Sequence, residues 1–182
     1  ELDAAFVYEE TKRDGESVGK GDIVASLEGK TRAILTGERV ALNLLQRLCG
    51  IATLTRRFVE ATGNTGARIL DTRKTSPGHR EKEKYAVRMG GGFNHRGTLG
   101  EMALIKENHI AVAGTIKEAV RRIRSVSAVP IEVEVKNTEE LGEALAEGVD
   151  RIMLDNWDTE STRRAVALVR KSVPLEASGN MT

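Results

Sequence analysis

The segment IEVEVKNTEELGEALAEGVDRIMLDN, residues 131–156, shows the architecture of this chain most clearly. Two apolar runs in it end in Glu134 and Asp155, and a helical pattern lies between them. Asn137 and Glu140 stand at the start of that pattern with the spacing of a helix capping box. A strand, a helix and a strand in this order predict two parallel strands joined by a crossover helix.

The same alternation continues on both sides of this segment. Apolar runs that end in polar residues occupy residues 68–74, 102–108, 131–137, 151–156 and 175–180. No G-x-G-x-x-G motif follows the first run, so a βα barrel (TIM-like, class α/β) is favoured over a doubly wound sheet. With a short strand near Phe93 there are about six strands, fewer than the eight of a complete barrel of about 250 residues. We therefore expect an incomplete, open barrel.

The first third of the chain has a different pattern. Residues 1–34 carry turn sequences and short extended runs, which indicate strands and turns. Apolar residues recur every three or four positions over residues 36–62, which predicts one long helix. Thr36 is the expected cap, Gly63 the expected end, and Gly50 a point where the helix can bend or break.

Composition excludes several classes of protein. The 182 residues carry 28 Lys and Arg against 27 Asp and Glu, which argues against a generally basic nucleic-acid binder. One cysteine excludes a disulfide framework, and no apolar run reaches membrane-spanning length, so we expect a soluble, cytoplasmic protein. Because the chain opens with Glu1 in an apolar stretch and stops just after a strand pattern, we also expect a fragment of a longer protein.

Positive side chains are concentrated at the predicted strand ends. Residues 68–109 hold nine Lys and Arg against five Asp and Glu. If the strands are parallel neighbours, four cations converge on one mouth: Arg73, Lys74, Arg96 and Lys106. Their repulsion is costly unless an anion joins them, so a small polyanionic ligand is favoured. Alternatively, half of them are solvated or paired with acidic neighbours, namely Asp71, Glu101 or Glu107.

Acidic side chains end the two strands that follow Lys106. Glu134 and Asp155 beside a cationic mouth suggest Mg²⁺, which one or two carboxylates and substrate phosphates commonly hold. The alternative is that both are hydrogen-bonded to neighbouring strand ends. The triplet Ser178-Gly179-Asn180 can offer backbone N–H groups to a phosphate, and an ordinary strand-to-helix turn has the same sequence.

The sequence also predicts the environment of three further residues. Arg39 falls in the first turn of the predicted long helix, where a cation opposes the helix dipole; an anionic partner or plain exposure would explain it. Cys49 lies on or beside the apolar face of that helix and is expected in the core. Trp157 is expected to pack rather than to stack on a base.

These residues together resemble one family closely: quinolinate phosphoribosyltransferase, the carboxylating nicotinate-nucleotide pyrophosphorylase of NAD synthesis. The most specific matches are Asp71-Thr72-Arg73-Lys74-Thr75 and Asn94-His95-Arg96. Further matches follow in family order at Glu38-Arg39, Glu83-Lys84-Tyr85-Ala86-Val87, Leu104-Ile105-Lys106, Asn108-His109, Glu132-Val133-Glu134-Val135, Leu154-Asp155-Asn156 and Glu176-Ala177-Ser178-Gly179. They cover nearly the whole chain.

The resemblance implies a fold, an assembly and a reaction. Residues 1–35 would belong to an N-terminal α/β sandwich, residues 36–66 would be a linking helical segment, and residues 67–182 an open βα barrel without its last strands. A homodimer would bring Arg39 into the partner's site. The expected enzyme transfers phosphoribosyl from phosphoribosyl pyrophosphate to quinolinate with loss of CO₂, giving nicotinate mononucleotide and pyrophosphate. Neither nucleic acid nor a membrane is expected as a partner.

The resemblance also assigns roles to single residues. Five would hold the carboxylates of quinolinate, with Thr72 beside them: Arg39, Arg73, His95, Arg96 and Lys106. Lys74 would face the donor and act in catalysis with Glu134 and Asp155, which would contact the ribose and Mg²⁺, directly or through water or substrate. Three would approach the 5′-phosphate: Ser178, Gly179 and Asn180. Glu107 stands where the family usually has Asp and receives no role.

Other interpretations stay open at this point. A related barrel pyrophosphorylase could act on another anionic heterocycle. Lys106 at a strand end could instead form a Schiff base, as in an aldolase. A biotinyl or lipoyl carrier would need a lysine at a hairpin tip, and a nucleic-acid binder would find few aromatic stacking surfaces here.

Overall fold

The computed structural model describes residues 6–181, in which the chain forms two compact units. Unit 1, which ends at Gly97, contains strands β1 (Val7–Glu10) and β2 (Ala25–Glu28) and helices α1 (Thr31–Thr62) and α2 (Arg80–Met89). Unit 2, which begins at Thr98, contains in chain order β3 (Ala103–Ile105), α3 (Glu107–Ala113), α4 (Ile116–Val126), β4 (Ile131–Val135), α5 (Thr138–Ala146), β5 (Arg151–Asp155), α6 (Thr159–Val169) and β6 (Leu175–Ser178).

Unit 2 is built on a parallel sheet with the strand order β3-β4-β5-β6. One or two helices connect each strand to the next, so successive strands run in the same direction, as the alternating sequence predicted. The register pairs Val133 with Ile152 and Leu154 with Ala177. The predicted α/β class is confirmed, and these strands and crossover helices are those of an incomplete, open βα barrel.

The hydrophobic core of unit 2 lies between the sheet and its helices. Val133 on β4, Ile152 on β5 and Leu141 on α5 are fully buried. Burial of one such side chain contributes about 1.5–3 kcal/mol. Trp157 packs against this core and donates from Nε1 to the carbonyl of Val135 at 3.0 Å, so its predicted packing role is confirmed.

Side-chain caps start three helices of unit 2, and the cap at Asn137 lies where the sequence predicted it. Thr115, Asn137 and Asp158 each accept a hydrogen bond from the backbone N–H three residues further on, at 3.1, 2.9 and 2.7 Å. Each cap satisfies a backbone donor that has no partner inside the helix. These caps fix the starts of α4, α5 and α6.

Helix α1 of unit 1 differs from its prediction at its start. It begins at Thr31, well before the expected position, and Lys30 at the N-cap makes no side-chain hydrogen bond to it. Thr36 is inside the helix and donates its hydroxyl to a carbonyl one turn earlier at 2.7 Å, so its predicted capping role is wrong. The helix runs through Gly50 without a break and ends at Gly63 as predicted.

Two predictions that depended on α1 are wrong. Arg39 lies in the third turn rather than the first, so the helix dipole does not oppose its charge. Cys49 is exposed, not in the core. In the described part of the chain, the buried residue of α1 is Thr55 and none of the apolar residues. The apolar spacing therefore predicted the helix, but not which of its side chains are buried. Within residues 6–181, no helix, α1 included, is apolar enough over a sufficient length to span a membrane.

Helix α2 starts after a turn and ends in close contact with α1. It begins at Arg80, after a turn that contains Pro77. At its other end, a Cβ atom on Gly90 would lie 2.7 Å from Cβ of Thr55. Only glycine fits there, because any side chain would push the end of α2 away from α1.

Candidate active site

Two loops of unit 1 carry the predicted anion-binding residues, and a parallel bridge between Leu70 and Phe93 places the loops side by side. The N–H of Asp71 donates to the carbonyl of Phe93 at 3.1 Å, and the N–H of Phe93 donates to the carbonyl of Ile69 at 2.8 Å. Loop 71–76 follows the first strand segment and carries Thr72, Arg73 and Lys74; loop 94–97 follows the second and carries His95 and Arg96. Since both loops leave parallel segments at the same end, they are adjacent.

A buried ion pair between Asp71 and Lys84 links the two loops to α2. The exposed fractions of these side chains are 7% and 9%. Nζ of Lys84 donates to Oδ1 of Asp71 and, at 2.7 Å, to the carbonyl of His95. Oδ1 of Asp71 also accepts the N–H of His95 at 2.9 Å, and Oδ2 accepts from the amide of Asn94. The predicted cations therefore do not pair with Asp71; Lys84 does.

Arg80, at the start of α2, holds the backbone of both loops. Nη2 donates to the carbonyl of Arg73 at 3.2 Å, and Nη1 to the carbonyl of Gly97 at 3.4 Å. Nε donates to Oγ1 of Thr75 at 3.1 Å. One guanidinium thus bridges loop 71–76 and loop 94–97, which suits its fixed fork of donors.

Glu83 on α2 anchors the end of loop 71–76. It accepts two hydrogen bonds from Arg47 of α1, at 2.9 and 2.6 Å, and one from the N–H of Ser76 at 3.3 Å. Burial by itself would raise the pKa of Glu83, but the hydrogen bonds from Arg47 and Ser76 outweigh it and hold the pKa below 4.5. The carboxylate therefore stays ionised and keeps both partners.

The predicted site residues of unit 1 differ in exposure. Arg73 is half-buried, and its Nε, which is buried, donates to no partner among residues 6–181. Thr72 and Lys74 are exposed, and the hydroxyl of Thr72 accepts the N–H of Lys74 at 3.0 Å. His95 is buried, and its Nδ1 accepts the N–H of Arg96 at 2.8 Å, so the neutral ring carries its proton on Nε2. Arg39 is exposed on α1, away from both loops in sequence.

The predicted site residues of unit 2 lie at one edge of its sheet. Lys106 follows β3, Glu134 and Asp155 stand at the ends of β4 and β5, and Ser178 ends β6 opposite Asp155 in the register. Nζ of Lys106 lies 2.6 Å from Oε2 of Glu134, whose side chain is 13% exposed. The predicted anion-binding cation and the predicted metal ligand thus form an ion pair. This outcome partly matches the expectation that carboxylates at strand ends bond to neighbouring strand ends.

Asn156 organises the end of β5 and the turn after β6. Its Nδ2 donates to Oδ1 of Asp155 at 3.0 Å, and its Oδ1 accepts from Nδ2 of Asn180 at 3.2 Å. Its own φ is +57° and that of Asn180 is +50°, in the left-handed region that asparagine tolerates better than most residues. The triplet from Ser178 to Asn180 is therefore a turn fixed by side-chain amides.

Glu107 and Lys136 add a second ion pair at this edge, at 2.6 Å. The hydrogen bond that Lys136 donates to the carboxylate of Glu107 raises the pKa of Lys136. Glu107 thus pairs with Lys136 rather than with Lys106. Next to it, Nδ1 of His109 accepts the N–H of Lys106 at 2.9 Å, which leaves Nε2 of this histidine as the protonated nitrogen.

Sequence reasoning missed four residues that organise these groups: Asp71, Arg80, Lys84 and Asn156. Asp71 belongs to a motif in which the cations Arg73 and Lys74 are the more obvious ligand-binding residues. Asn156 follows the predicted metal ligand Asp155 directly. Arg80, Glu83 and Lys84 carried a usable signal, because their spacing places charged side chains on one face of a helix. Such a face points to a polar partner rather than to an apolar core.

Comparison with known families accounts for both groups of residues. The model of the quinolinate phosphoribosyl transferase C-terminal domain matches residues 51–182, and that of the N-terminal domain matches residues 4–49. The chain belongs to the quinolinate phosphoribosyltransferase family. The resemblance that Asp71-Thr72-Arg73-Lys74-Thr75 and Asn94-His95-Arg96 carried is therefore confirmed.

Named relatives of this family include bacterial proteins. A probable nicotinate-nucleotide pyrophosphorylase (carboxylating) of Bacillus subtilis is 48% identical over 173 residues, which are 94% of this chain and 60% of the relative. The nicotinate-nucleotide pyrophosphorylase (carboxylating) of Mycobacterium leprae is 43% identical over 93% of this chain and 61% of its own length. The chain thus spans about three-fifths of the length of these curated relatives.

Solved structures of the family have the same fold. The crystal structure of NadC from Streptococcus pyogenes matches with a TM-score of 0.93 and 42% identity, over 100% of this chain and 65% of that one. The nicotinate-nucleotide pyrophosphorylase from Francisella tularensis matches with a TM-score of 0.94 and 44% identity, over 99% of this chain and 65% of that one. The partial α/β architecture predicted from sequence is therefore that of quinolinate phosphoribosyltransferases.

Proposed function

We propose that this quinolinate phosphoribosyltransferase chain belongs to an enzyme that transfers phosphoribosyl from phosphoribosyl pyrophosphate to quinolinate. The acceptor loses CO₂, and the products are nicotinate mononucleotide and pyrophosphate. One observation carries the proposal beyond family membership: loop 71–76 and loop 94–97 are adjacent and present Arg73, His95 and Arg96 from parallel segments. Two acceptor carboxylates require such a set of separately held donors.

The acceptor role rests on the chemistry of these donors. Arg73 has a buried Nε that donates to no partner among residues 6–181, so a carboxylate would complete its hydrogen bonding. His95 lies on the neighbouring loop, and Thr72 and Lys74 are exposed beside Arg73. The resemblance also assigns Lys106 to an anionic substrate; within unit 2 its ammonium is partly exposed, so an anion can take the place of Glu134 beside it.

The donor role rests on the strand ends of unit 2. Glu134 and Asp155 offer carboxylate oxygens, the ligand type that Mg²⁺ prefers, so the residues present fit this ion in donor chemistry. When bound there with the donor, Mg²⁺ would neutralise the charge of the departing pyrophosphate. Glu134 and Asp155 would themselves stabilise the positive charge that develops on ribose, and Asn156 would orient Asp155. The turn at Ser178, Gly179 and Asn180 would receive the 5′-phosphate.

We also propose that the enzyme is a homodimer and that it acts in the cytoplasm. Helix α1 exposes several large apolar side chains along its length: Leu35, Val40, Leu42, Leu45 and Leu54. We assign these side chains to contacts with a second copy, since burying them would remove apolar area from water in both copies. Arg39, exposed on the same helix, would reach the partner's quinolinate.

The test of the reaction compares two acceptors with the full-length protein. Quinolinate and phosphoribosyl pyrophosphate with Mg²⁺ should release pyrophosphate and CO₂ in equal amounts, whereas nicotinate should release neither. Arg73→Ala should strongly slow the release, and Arg13→Ala, which removes an exposed arginine of unit 1, should leave it unchanged. Turnover of nicotinate without turnover of quinolinate would contradict the proposal.

A further inference from the structure

The buried pair of Asp71 and Lys84 is the strongest feature that the proposed reaction leaves unused. Its two side chains are more than nine-tenths buried, so neither is free to bind a substrate directly. Burial of two charges costs several kcal/mol per ion in desolvation, and such pairs often stabilise a fold no better than apolar residues of similar size. A gain in stability is therefore a poor explanation for the pair.

The remaining hydrogen bonds of the pair all go to loop 94–97. Lys84 donates to the carbonyl of His95 at 2.7 Å, and Asp71 accepts the N–H of the same residue at 2.9 Å. Both main-chain groups of His95 are thus held by the pair. Because Asp71 also begins loop 71–76, the pair fixes the spacing between Arg73 on one loop and His95 on the other.

We propose that Asp71 and Lys84 are positioning residues that set the spacing of the donors for the two acceptor carboxylates. This inference rests on the proposed function, because it names the substrate whose binding depends on that spacing. Helix α2 has other anchors, since Arg80 and Glu83 bind the loops independently. Loss of the pair should therefore misplace His95 and Arg73 without detaching the helix.

The test uses paired variants of the full-length protein. Lys84→Met alone leaves a buried carboxylate without its cation and should lower the thermal midpoint. The double variant Asp71→Asn/Lys84→Met removes both charges and should recover most of that loss. Its kcat/KM for quinolinate should nevertheless stay about 100-fold below the parent, the cost of a displacement of about 1 Å in a site. The KM for phosphoribosyl pyrophosphate should stay at the parental value.

A matched control removes the same residue types elsewhere in unit 1. Lys12 and Asp22 form a partly exposed pair at 4.0 Å, and Asp22→Asn/Lys12→Met should leave both KM values unchanged. A purely structural role of Asp71 and Lys84 predicts that quinolinate kinetics recover together with the thermal midpoint. That recovery, or an equal rise in both KM values, would overturn the inference.

A measurement without substrate separates this inference from the proposed function. Backbone hydrogen exchange in the double variant should become faster in loop 71–76 and loop 94–97, and stay parental in α4, α5 and α6. Unchanged exchange in both loops would overturn the positioning role even in a protein that turns over quinolinate. If instead the parent fails to turn over quinolinate, the proposed function falls, and the exchange result still decides whether the pair orders the loops.

Discussion

Lys106 and Glu134 stand 2.6 Å apart, nitrogen to oxygen, across the ends of two neighbouring parallel strands. The sequence assigned one to an anionic substrate and the other to a metal. In the structure they neutralise each other, so neither charge is left alone at the edge of the sheet.

Replacing Lys106 should weaken acceptor binding. Lys106→Met should lower kcat/KM for quinolinate about 10- to 100-fold, because a hydrogen bond to a charged group contributes about 1.5–3 kcal/mol. Lys106→Arg should recover part of the loss, since it keeps a cation opposite Glu134. Steady-state kinetics with quinolinate as the varied substrate measure this.

The same lysine decides the aldolase alternative. A Schiff base needs a free amine as nucleophile, whereas Nζ of Lys106 is bound by the carboxylate of Glu134 at 2.6 Å. Borohydride reduction in the presence of a carbonyl compound should therefore add no mass to the protein. A mass increase on Lys106 in a digest would support the aldolase instead.

Gly179 should not tolerate a side chain. Its φ is +90°, and a Cβ atom there would overlap the amide of Asn156. Gly179→Ala should therefore destabilise unit 2 and impair binding of phosphoribosyl pyrophosphate, because it displaces Asn156 from Asp155. Urea unfolding and the KM of the donor measure the two effects.

Gly142 provides the control for this substitution. It lies inside α5, with nothing within 4 Å of a Cβ atom built on it. Gly142→Ala should stabilise the protein by up to about 1 kcal/mol, the difference in helix propensity. If Gly179→Ala left the stability unchanged while Gly142→Ala increased it, Asn156 would not require glycine at position 179.

The acid stability of unit 1 should depend on Glu83. Its pKa is below 4.5 in the folded protein, so folding favours the ionised carboxylate. The stabilisation is complete above the unfolded pKa near 4.5 and is lost as the pH falls through the lower folded pKa. Glu83→Gln should therefore lower the urea midpoint at pH 7 and have progressively less effect below pH 4.5. If Glu83→Gln lowered the urea midpoint equally at pH 7 and below pH 4.5, the charge of Glu83 would not be the cause of its stabilising effect.

Arg39 and Arg73 should complement each other if Arg39 acts across a dimer. Arg39→Ala and Arg73→Ala should each cost about 2–5 kcal/mol of transition-state binding, as for a buried charge pair that loses one partner. A refolded equal mixture should regain about one quarter of the parental activity, since half of the dimers would be mixed and each would hold one intact site. No recovery, with mixed dimers present by mass spectrometry, would confine Arg39 to its own chain's site or remove it from the site.

The sequence alone predicted what depends on local contacts. Alternating strand and helix patterns predicted the parallel order of unit 2, and the cap Asn137 lies where its spacing indicated, since a cap bonds only three residues away. The family motifs at residues 71–75 and 94–96 pointed to Arg73 and His95, because each motif is a short run of neighbouring residues that can be recognised in the sequence itself.

Only the tertiary structure decided which charges pair and which faces are covered. Asp71 pairs with Lys84 and not with Arg73. Lys106 pairs with Glu134 and not with Glu107. Cys49 on α1 is exposed, although the apolar spacing placed it in the core. Each depends on residues far apart in the chain, whose approach is set by helix and strand packing. Electrostatic partners follow from distance in space, which the order of residues along a chain does not specify.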